Sequence, residues 1–421
     1  MKKGKLIALF KSNKKIVKNF SFLSILQFFQ LIIGFLLFPY LIKVLGVKNY
    51  GIVIFAQAII GYFLLILNYG FNITATKQIA LHKNDKNKLH EIISSTYISK
   101  FIIFIFISIL FTSMLIFVPF FSNHKEIYGL TFFSLIGWLL YPEWYFQGVE
   151  KMENITYIIL TSKLISLVAI IIVVKEANDY YYVPIINSIS MIISGIISVI
   201  LLINSLGRKN ITFTYSVCKI KEQLVDGSSI FLSNIVANTK DYFNTFIIGV
   251  FLNFEMVAVY DFANKIIRIL IIPSSILYRV VFPKISIKKS FTMVRKLELL
   301  SLTYSFLVIL IIVCIPDSVL QYFFKNDIEV FKNTLYILSI TLPLLSLSGS
   351  RGVLGLIAFN FDRYFTKGII TSMLFYCLIV VVLYFFDQIS LISMSITLVF
   401  SLFVEVVSHS YYIQKKRINH A

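Results

Sequence analysis

The sequence predicts an all-α polytopic membrane protein, with about twelve transmembrane helices in two six-helix lobes related by a pseudo-two-fold axis along the membrane normal. Three observations predict it. The 421 residues are 58% hydrophobic and 14% charged, against about 25% charged in soluble domains. The apolar residues fall into about twelve runs whose connectors are too short to hold a soluble domain. The cations alternate in number from one connector to the next.

The runs are 20–42, 52–69, 93–118, 128–148, 155–174 and 182–205 in the first half, and 229–252, 262–283, 299–315, 330–359, 366–386 and 390–413 in the second. A helix rising 1.5 Å per residue needs roughly 20 apolar residues to cross a hydrocarbon core about 30 Å thick. No water reaches the backbone there, so each run closes its own hydrogen bonds as a helix. The expected organisation is a basic tail 1–19, a lobe 20–205, a linker 206–228, a lobe 229–413 and a tail 414–421. Pro39, Pro142, Pro273 and Pro343 lie within or at the ends of spans, where each removes a helix hydrogen bond and permits a bend.

The net charge of +19 is a statement about topology. Connectors on the N-terminal side of the membrane carry 26 Lys and Arg, and those on the other side carry 6. This bias predicts that both termini are cytoplasmic, and it removes the reason to invoke nucleic acid. Seven lysines precede the first span, whose length and lack of a small-residue cleavage site mark it as uncleaved rather than a signal peptide. The same tail reads either as a basic amphipathic helix on anionic lipid or as a solvated topogenic segment. Cys218, Cys314 and Cys377 are scattered, suggesting small buried side chains and neither a disulfide framework nor a metal site.

The second half echoes the first. Phe22-Leu23-Ser24 and Phe231-Leu232-Ser233 open spans one and seven, and Phe55-Ala56-Gln57 has its counterpart in Phe262-Ala263-Asn264. The offsets, 209 and 207 residues, are nearly one value. Six spans per repeat return the chain to its starting side, which predicts parallel repeats with a substrate site between lobes.

Polar residues inside the spans are the candidate functional groups. Asn234, Asn238, Asp241 and Thr245 form a stripe down one face of span seven, and Asp261, Lys265, Arg268 and Arg279 lie along span eight. Gln27 and Gln30 lie in span one, Lys100 in span three, Glu143 in span four, Lys163 in span five, Arg351 in span ten and Glu405 in span twelve. A charge at the bilayer centre costs about 2.5–3.5 kcal/mol or more, so these groups must pair with one another or face a wet cavity. Structural pairing is the simpler reading, as for Asp261 with Lys265. Yet the spans hold seven cations (Lys100, Lys163, Lys240, Lys265, Arg268, Arg279, Arg351) and few acids, which favours a chamber for an anion. Its candidate cations are Lys240, Lys265, Arg268 and Arg351, with Lys163 on the first-lobe side. Gln27, Gln30, Asn234 and Asn238 are the candidate polar lining. Asp241 and Glu143 are candidates for a coupling H+ or Na+; no other cofactor is expected.

Enzyme signatures are missing: there is no G-x-x-x-x-G-K-[ST] loop, and the His90-Glu91 string has Ser94 where a zinc protease needs its second His.

Several strings resemble a known family. Trp144-Tyr145-Phe146-Gln147-Gly148-Val149-Glu150-Lys151-Met152 is similar to the W-x-F-Q-G-x-E-x-M signature of bacterial polysaccharide flippases. Leu45 to Gly51 resembles that family's L-G-x-x-x-Y-G turn, and Asn68-Tyr69-Gly70-Phe71 its D/N-x-G-F helix end. Val259 to Lys265 resembles a Y-x-x-A-x-K segment, and Phe282 to Ser286 an F-P-x-I-S end. The resemblance is to the O-antigen-type flippases of the multidrug/oligosaccharidyl-lipid/polysaccharide exporter superfamily. It implies Trp144, Gln147, Gly148 and Glu150 as motif residues and the bacterial inner membrane as location. The implied cargo is an undecaprenyl-diphosphate-linked oligosaccharide, with membrane lipids, a polysaccharide polymerase and chain-length machinery as further partners. A diphosphate would suit a cationic chamber. The alternative within the superfamily is a cation-coupled multidrug exporter, which usually presents acidic residues.

Overall fold

Satisfying the backbone internally yields helix almost throughout. The computed structural model describes residues 2–207, 217–321, 324 and 328–416, and no β-strand occurs among them. The first half comprises α1 (Lys2–Asn68), α2 (Phe71–Leu81), α3 (Lys86–Phe117), α4 (Pro119–Ser122), α5 (Lys125–Phe132), α6 (Ser134–Leu140), α7 (Glu143–Gly148), α8 (Met152–Val173) and α9 (Tyr182–Leu206). The second comprises α10 (Val217–Phe251), α11 (Phe254–Leu270), α12 (Ile272–Lys288), α13 (Phe291–Val313), α14 (Asp317–Gln321), α15 (Ile328–Ser339), α16 (Thr341–Ser348), α17 (Asp362–Phe385) and α18 (Leu391–Lys415). The expected linker falls partly and the C-terminal tail largely outside the described residues, and the side chains of the N-terminal tail lie outside them too.

Eight helices among the described residues are long and apolar enough to cross a membrane. The first, Phe28–Leu81, holds two expected spans, because α1 is two helices that meet at a kink at Gly46 (φ 78°, ψ 162°). That backbone region is open essentially to glycine alone. Span eight is a bent pair, α11 and α12, broken by 40° where Pro273 enters the first turn of α12. Span four is cut into α5, α6 and α7, with extended Tyr141 and non-helical Pro142 before the last. Span ten is α15 and α16 followed by a π-helical stretch, Gly349–Leu356. Span seven lies in α10, whose polar stripe lowers its hydropathy. Together these account for about twelve crossings.

Contacts sort the chain into two compact units, Met1–Ile33 with Ile59–Ile235, and Gly34–Ala58 with Val236–Ala421. In the first, Trp144, Tyr145 and Phe146 pack on Phe71, Ala75 and Ile79 of α2 and on Ile92 and Ile93 of α3. Helices α8 and α9 close on serines: Ser162 Oγ lies 2.6 Å from Ser190 Oγ, and Ser166 donates to Asn187 Oδ1 at 2.9 Å. Without an apolar driving force between helices in lipid, small polar seams of this kind supply the packing. In the second unit Tyr278, Ile285 and Val294 pack on Leu354, Leu356 and Phe359.

The outward faces are apolar. Phe101, Ile102, Ile105, Phe106 and Ile109 of α3, and Phe306, Leu307, Leu310 and Ile311 of α13, are exposed in rows at helical spacing. Such a surface would be an aggregation site in water; in a bilayer it faces chemically matched solvent. The cysteines correct the sequence reading: Cys314 is exposed and Cys377 half-buried, while the side chain of Cys218 is outside the description.

Candidate functional site

Three of the five predicted cations are held by carboxylates in the second unit. Lys240 of α10 is buried, its Nζ 3.0 Å from Glu405 Oε2 of α18 and donating to Ser372 Oγ of α17 at 2.7 Å. Glu405 Oε1 accepts from Ser348 Oγ at 2.6 Å. Arg351, in the π-helical stretch, reaches Glu298 of α13 through Nη2 (2.6 Å) and Nε (3.2 Å), and donates from Nη1 to Ser410 of α18 at 2.6 Å. It also lines a cleft of about 520 Å³ with Leu344, Leu347, Phe403, Val407 and Tyr411. Lys265 of α11 lies 2.6 Å from Asp261 Oδ2 and donates to the Tyr50 hydroxyl at 2.7 Å. The Lys240–Glu405 pair is buried, where either charge alone would be prohibitive; the other two pairs are half-buried.

The third pair fixes residues 34–58 in the second unit. Tyr50 donates to Asp261 Oδ2 at 2.7 Å. Gly51 packs so tightly that a Cβ there would lie 1.8 Å from the Phe254 carbonyl oxygen, and Phe55 lies across Gly249 with the same need for a missing Cβ. Phe38 and Phe262 stack with centroids 3.4 Å apart. The turn Leu45–Gly51 and the segment Val259–Lys265, quoted separately above, are thus two sides of one contact.

The first unit carries its own polar group. Glu143 accepts from Gln147 Nε2 at 2.7 Å and from Asn72 Nδ2 at 3.4 Å, and it interacts electrostatically with buried Lys100, whose ammonium donates to the Trp138 carbonyl at 2.8 Å. The flanking motif is architectural. Trp144 is fully buried, its carbonyl accepts from Thr76 Oγ1 at 3.1 Å, and a Cβ on Gly148 would collide with Ile79. Glu150, exposed, ends the turn at φ 61°.

The remaining predicted residues are dispersed. Lys163 is half-buried in α8 of the first unit; Arg268 is exposed at the end of α11 and has an interaction of its own. Gln30, Asn234 and Asn238 are half-buried, the two asparagines being engaged by neighbours. The side chains of Gln27 and Asp241 lie outside the described residues. Among the described residues no three His, Cys, Asp or Glu come together as a metal-ligand set.

Sequence reasoning missed Glu298, Tyr50, Ser348, Ser372, Ser410 and His409. Glu298 stands one residue before the apolar run that marked span nine, yet α13 begins at Phe291. Counting from the helix start would have placed this carboxylate inside. Asn244, fully buried between Tyr260 and Tyr376, stands beside Thr245 at the end of the span-seven stripe.

With this geometry in hand, comparison with known proteins is informative. Residues 16–288 match a family described as "Polysaccharide biosynthesis protein". A curated protein of Escherichia coli strain K12, named "Putative O-antigen transporter", is 28% identical over 366 residues, covering 84% of this chain and 86% of that one. Among solved structures, the lipid II flippase MurJ in an inward closed conformation superposes with a TM-score of 0.72 at 14% identity, covering 93% of this chain and 87% of that one. An inward-facing multidrug resistance MATE family transporter of the MOP superfamily gives 0.66 at 13%, covering 94% and 95%. These two likenesses concern the fold. The family match, covering well over half of the chain, is decisive for kinship: this integral membrane protein belongs to the polysaccharide biosynthesis protein family.

Proposed function

We propose that the protein is a flippase, a transporter rather than an enzyme. In this reading it moves undecaprenyl-diphosphate-linked oligosaccharide units, of O-antigen or a similar surface polysaccharide, from the inner to the outer leaflet of the bacterial inner membrane. The observation that carries the proposal is the family match over residues 16–288; the transporter named in Escherichia coli supports it. Both termini are cytoplasmic in this reading, and the lobes 20–205 and 229–413 alternate access to the two sides. Lys240, Lys265, Arg268 and Arg351, with Lys163 from the first-lobe side, hold the diphosphate. Glu143 or Asp241 binds a coupling H+ or Na+, and a polymerase and chain-length machinery receive the product.

Energetics support transport without ATP. Moving a negative charge out of an inside-negative cell is favoured by about 2.3 kcal/mol per 100 mV, and a diphosphate brings two. Glu405, Glu298 and Asp261 hold Lys240, Arg351 and Lys265, so an anionic cargo and a cationic drug would each have to displace a partner, and the transported species itself decides between the two readings. Purified protein in proteoliposomes containing the lipid-linked oligosaccharide tests the proposal: lectin-accessible sugar on the far leaflet should rise only with protein present. Transport of cationic dyes without movement of the sugar lipid would favour the exporter.

A further inference from the structure

Among the described residues, His409 is one of two buried histidines with an unpartnered ring nitrogen, the other being His90. His409 is fully buried on α18, one turn after Glu405. Its ring stacks on Phe365 (centroids 5.2 Å apart), and Nε2 lies 3.3 Å from the Phe365 carbonyl oxygen. Nδ1 has no hydrogen-bond partner. The slot is shaped for an imidazole: a Cβ on Gly352 would lie 2.9 Å from the ring, and one on Gly368 would lie 2.5 Å from it. Donation from Nε2 to the carbonyl leaves Nδ1 with a bare lone pair in a buried place, the arrangement of a proton acceptor.

The charged groups around this ring are few. Glu405 and Lys240 interact with it electrostatically; from α17 it meets Gly368 and the Phe365 carbonyl, and Arg351 is neutralised by Glu298. Lys240 is the group whose availability matters, and Glu405 now occupies it. A substrate phosphate taking the ammonium would leave Glu405 an uncompensated buried carboxylate beside a second anion, a severe cost unless a proton arrives.

We propose that Glu405 and His409 form a proton site that governs whether Lys240 is available to an anion. One proton, entering at His409 Nδ1 and shared with Glu405, supplies the positive charge that the carboxylate loses when Lys240 turns to a phosphate oxygen. Ser348 and Ser372 remain as neutral hydrogen-bonding partners. A diphosphate carried with one proton still moves net negative charge down the membrane potential. The proposal rests on the reading of Lys240 as an anion ligand, and its test separates the two.

The test is calorimetric titration of inorganic pyrophosphate into the full-length protein in lipid nanodiscs, in two buffers of different ionisation enthalpy. Binding should take up close to one proton near neutral pH, and affinity should fall by about tenfold per pH unit above the titration midpoint, as one-proton linkage requires. Glu405→Gln should bind more tightly, with proton exchange and pH dependence reduced to those of pyrophosphate's own ionisation; His409→Gln should bind weakly with a flattened pH profile. Binding without proton uptake in the native protein, or unchanged uptake in both variants, overturns the proposal. Absence of pyrophosphate binding at every pH removes the anion role of Lys240, and the proton site is then decided by the ring-nitrogen resonances of His409. A titration between about pH 5 and 8 whose midpoint moves in both Glu405→Gln and Lys240→Met supports the site. An imidazole that does not titrate, or one indifferent to both changes, overturns it.

Discussion

Adding one methyl group at Gly51 should uncouple residues 34–58 from the rest of the second unit. In Gly51→Ala the new Cβ would lie 1.8 Å from the Phe254 carbonyl oxygen, where ordinary contact begins near 3.4 Å. The two segments must separate by about 1.6 Å, and both opposing groups are backbone, so no rotamer change relieves the clash. A displacement of that size at the next residue stretches the 2.7 Å bond from Tyr50 to Asp261 beyond hydrogen-bonding range. Overpacking costs about 1–3 kcal/mol, and a lost hydrogen bond to a charged group about 1.5–3 kcal/mol, so a destabilisation of about 3–5 kcal/mol is expected. Tyr50→Phe should cost only the second part. Gly34→Ala is the control, since nothing lies within 4 Å of a Cβ there; it should be neutral or stabilising by up to about 1 kcal/mol, as expected of Gly to Ala in a helix. Thermal unfolding of the detergent-solubilised proteins, followed by loss of the monodisperse chromatographic peak, gives the order. Gly51→Ala matching Gly34→Ala would refute the close approach.

Arg351→Ala and Glu298→Ala should each destabilise, and the double variant should cost less than their sum by about 0.5–3 kcal/mol, the range for residues in one network; strict additivity in thermal unfolding would mean the pair is not formed. Arg268→Ala should abolish transport with normal membrane insertion while Arg268→Lys partly retains it, and full activity of the alanine variant would remove Arg268 from the proposed site. In the connector after α8, backbone amides of Lys175 and Glu176 donate to Asp179 and hold its carboxyl below the usual range. The folded value being depressed, the turn gains stability from this carboxylate above about pH 4, the ordinary Asp value, and loses it as pH falls through the lower folded value. The Asp179 carboxyl resonance should therefore titrate below that of an unstructured Asp, and a titration at the ordinary value would show that the amides do not hold it.

The spans were legible because lipid leaves the backbone no alternative to helix, so hydropathy alone places α3, α8, α9, α13, α17 and α18. The breaks were partly legible: Pro273 and Pro142 lie at real interruptions, whereas the π-helical stretch after Ser348 has no comparable signal. The partners of the charges were not legible. Tyr50 and Asp261 are 211 residues apart, and Lys240 and Glu405 are 165 apart, distances at which one sequence carries no pairing information. Glu298 was hidden because α13 extends beyond its apolar window. The imidazole slot of His409 depends on Gly352 and Gly368, whose significance is only their missing Cβ atoms. The apparent excess of unpaired cations was therefore partly an excess of partners out of sight.

The central claim is tested most directly by the sidedness of undecaprenyl-linked oligosaccharide in cells depleted of this protein. The account predicts accumulation on the cytoplasmic leaflet with loss of surface polysaccharide, reversed when the native chain is expressed again. Normal display on the outer leaflet after depletion would contradict it.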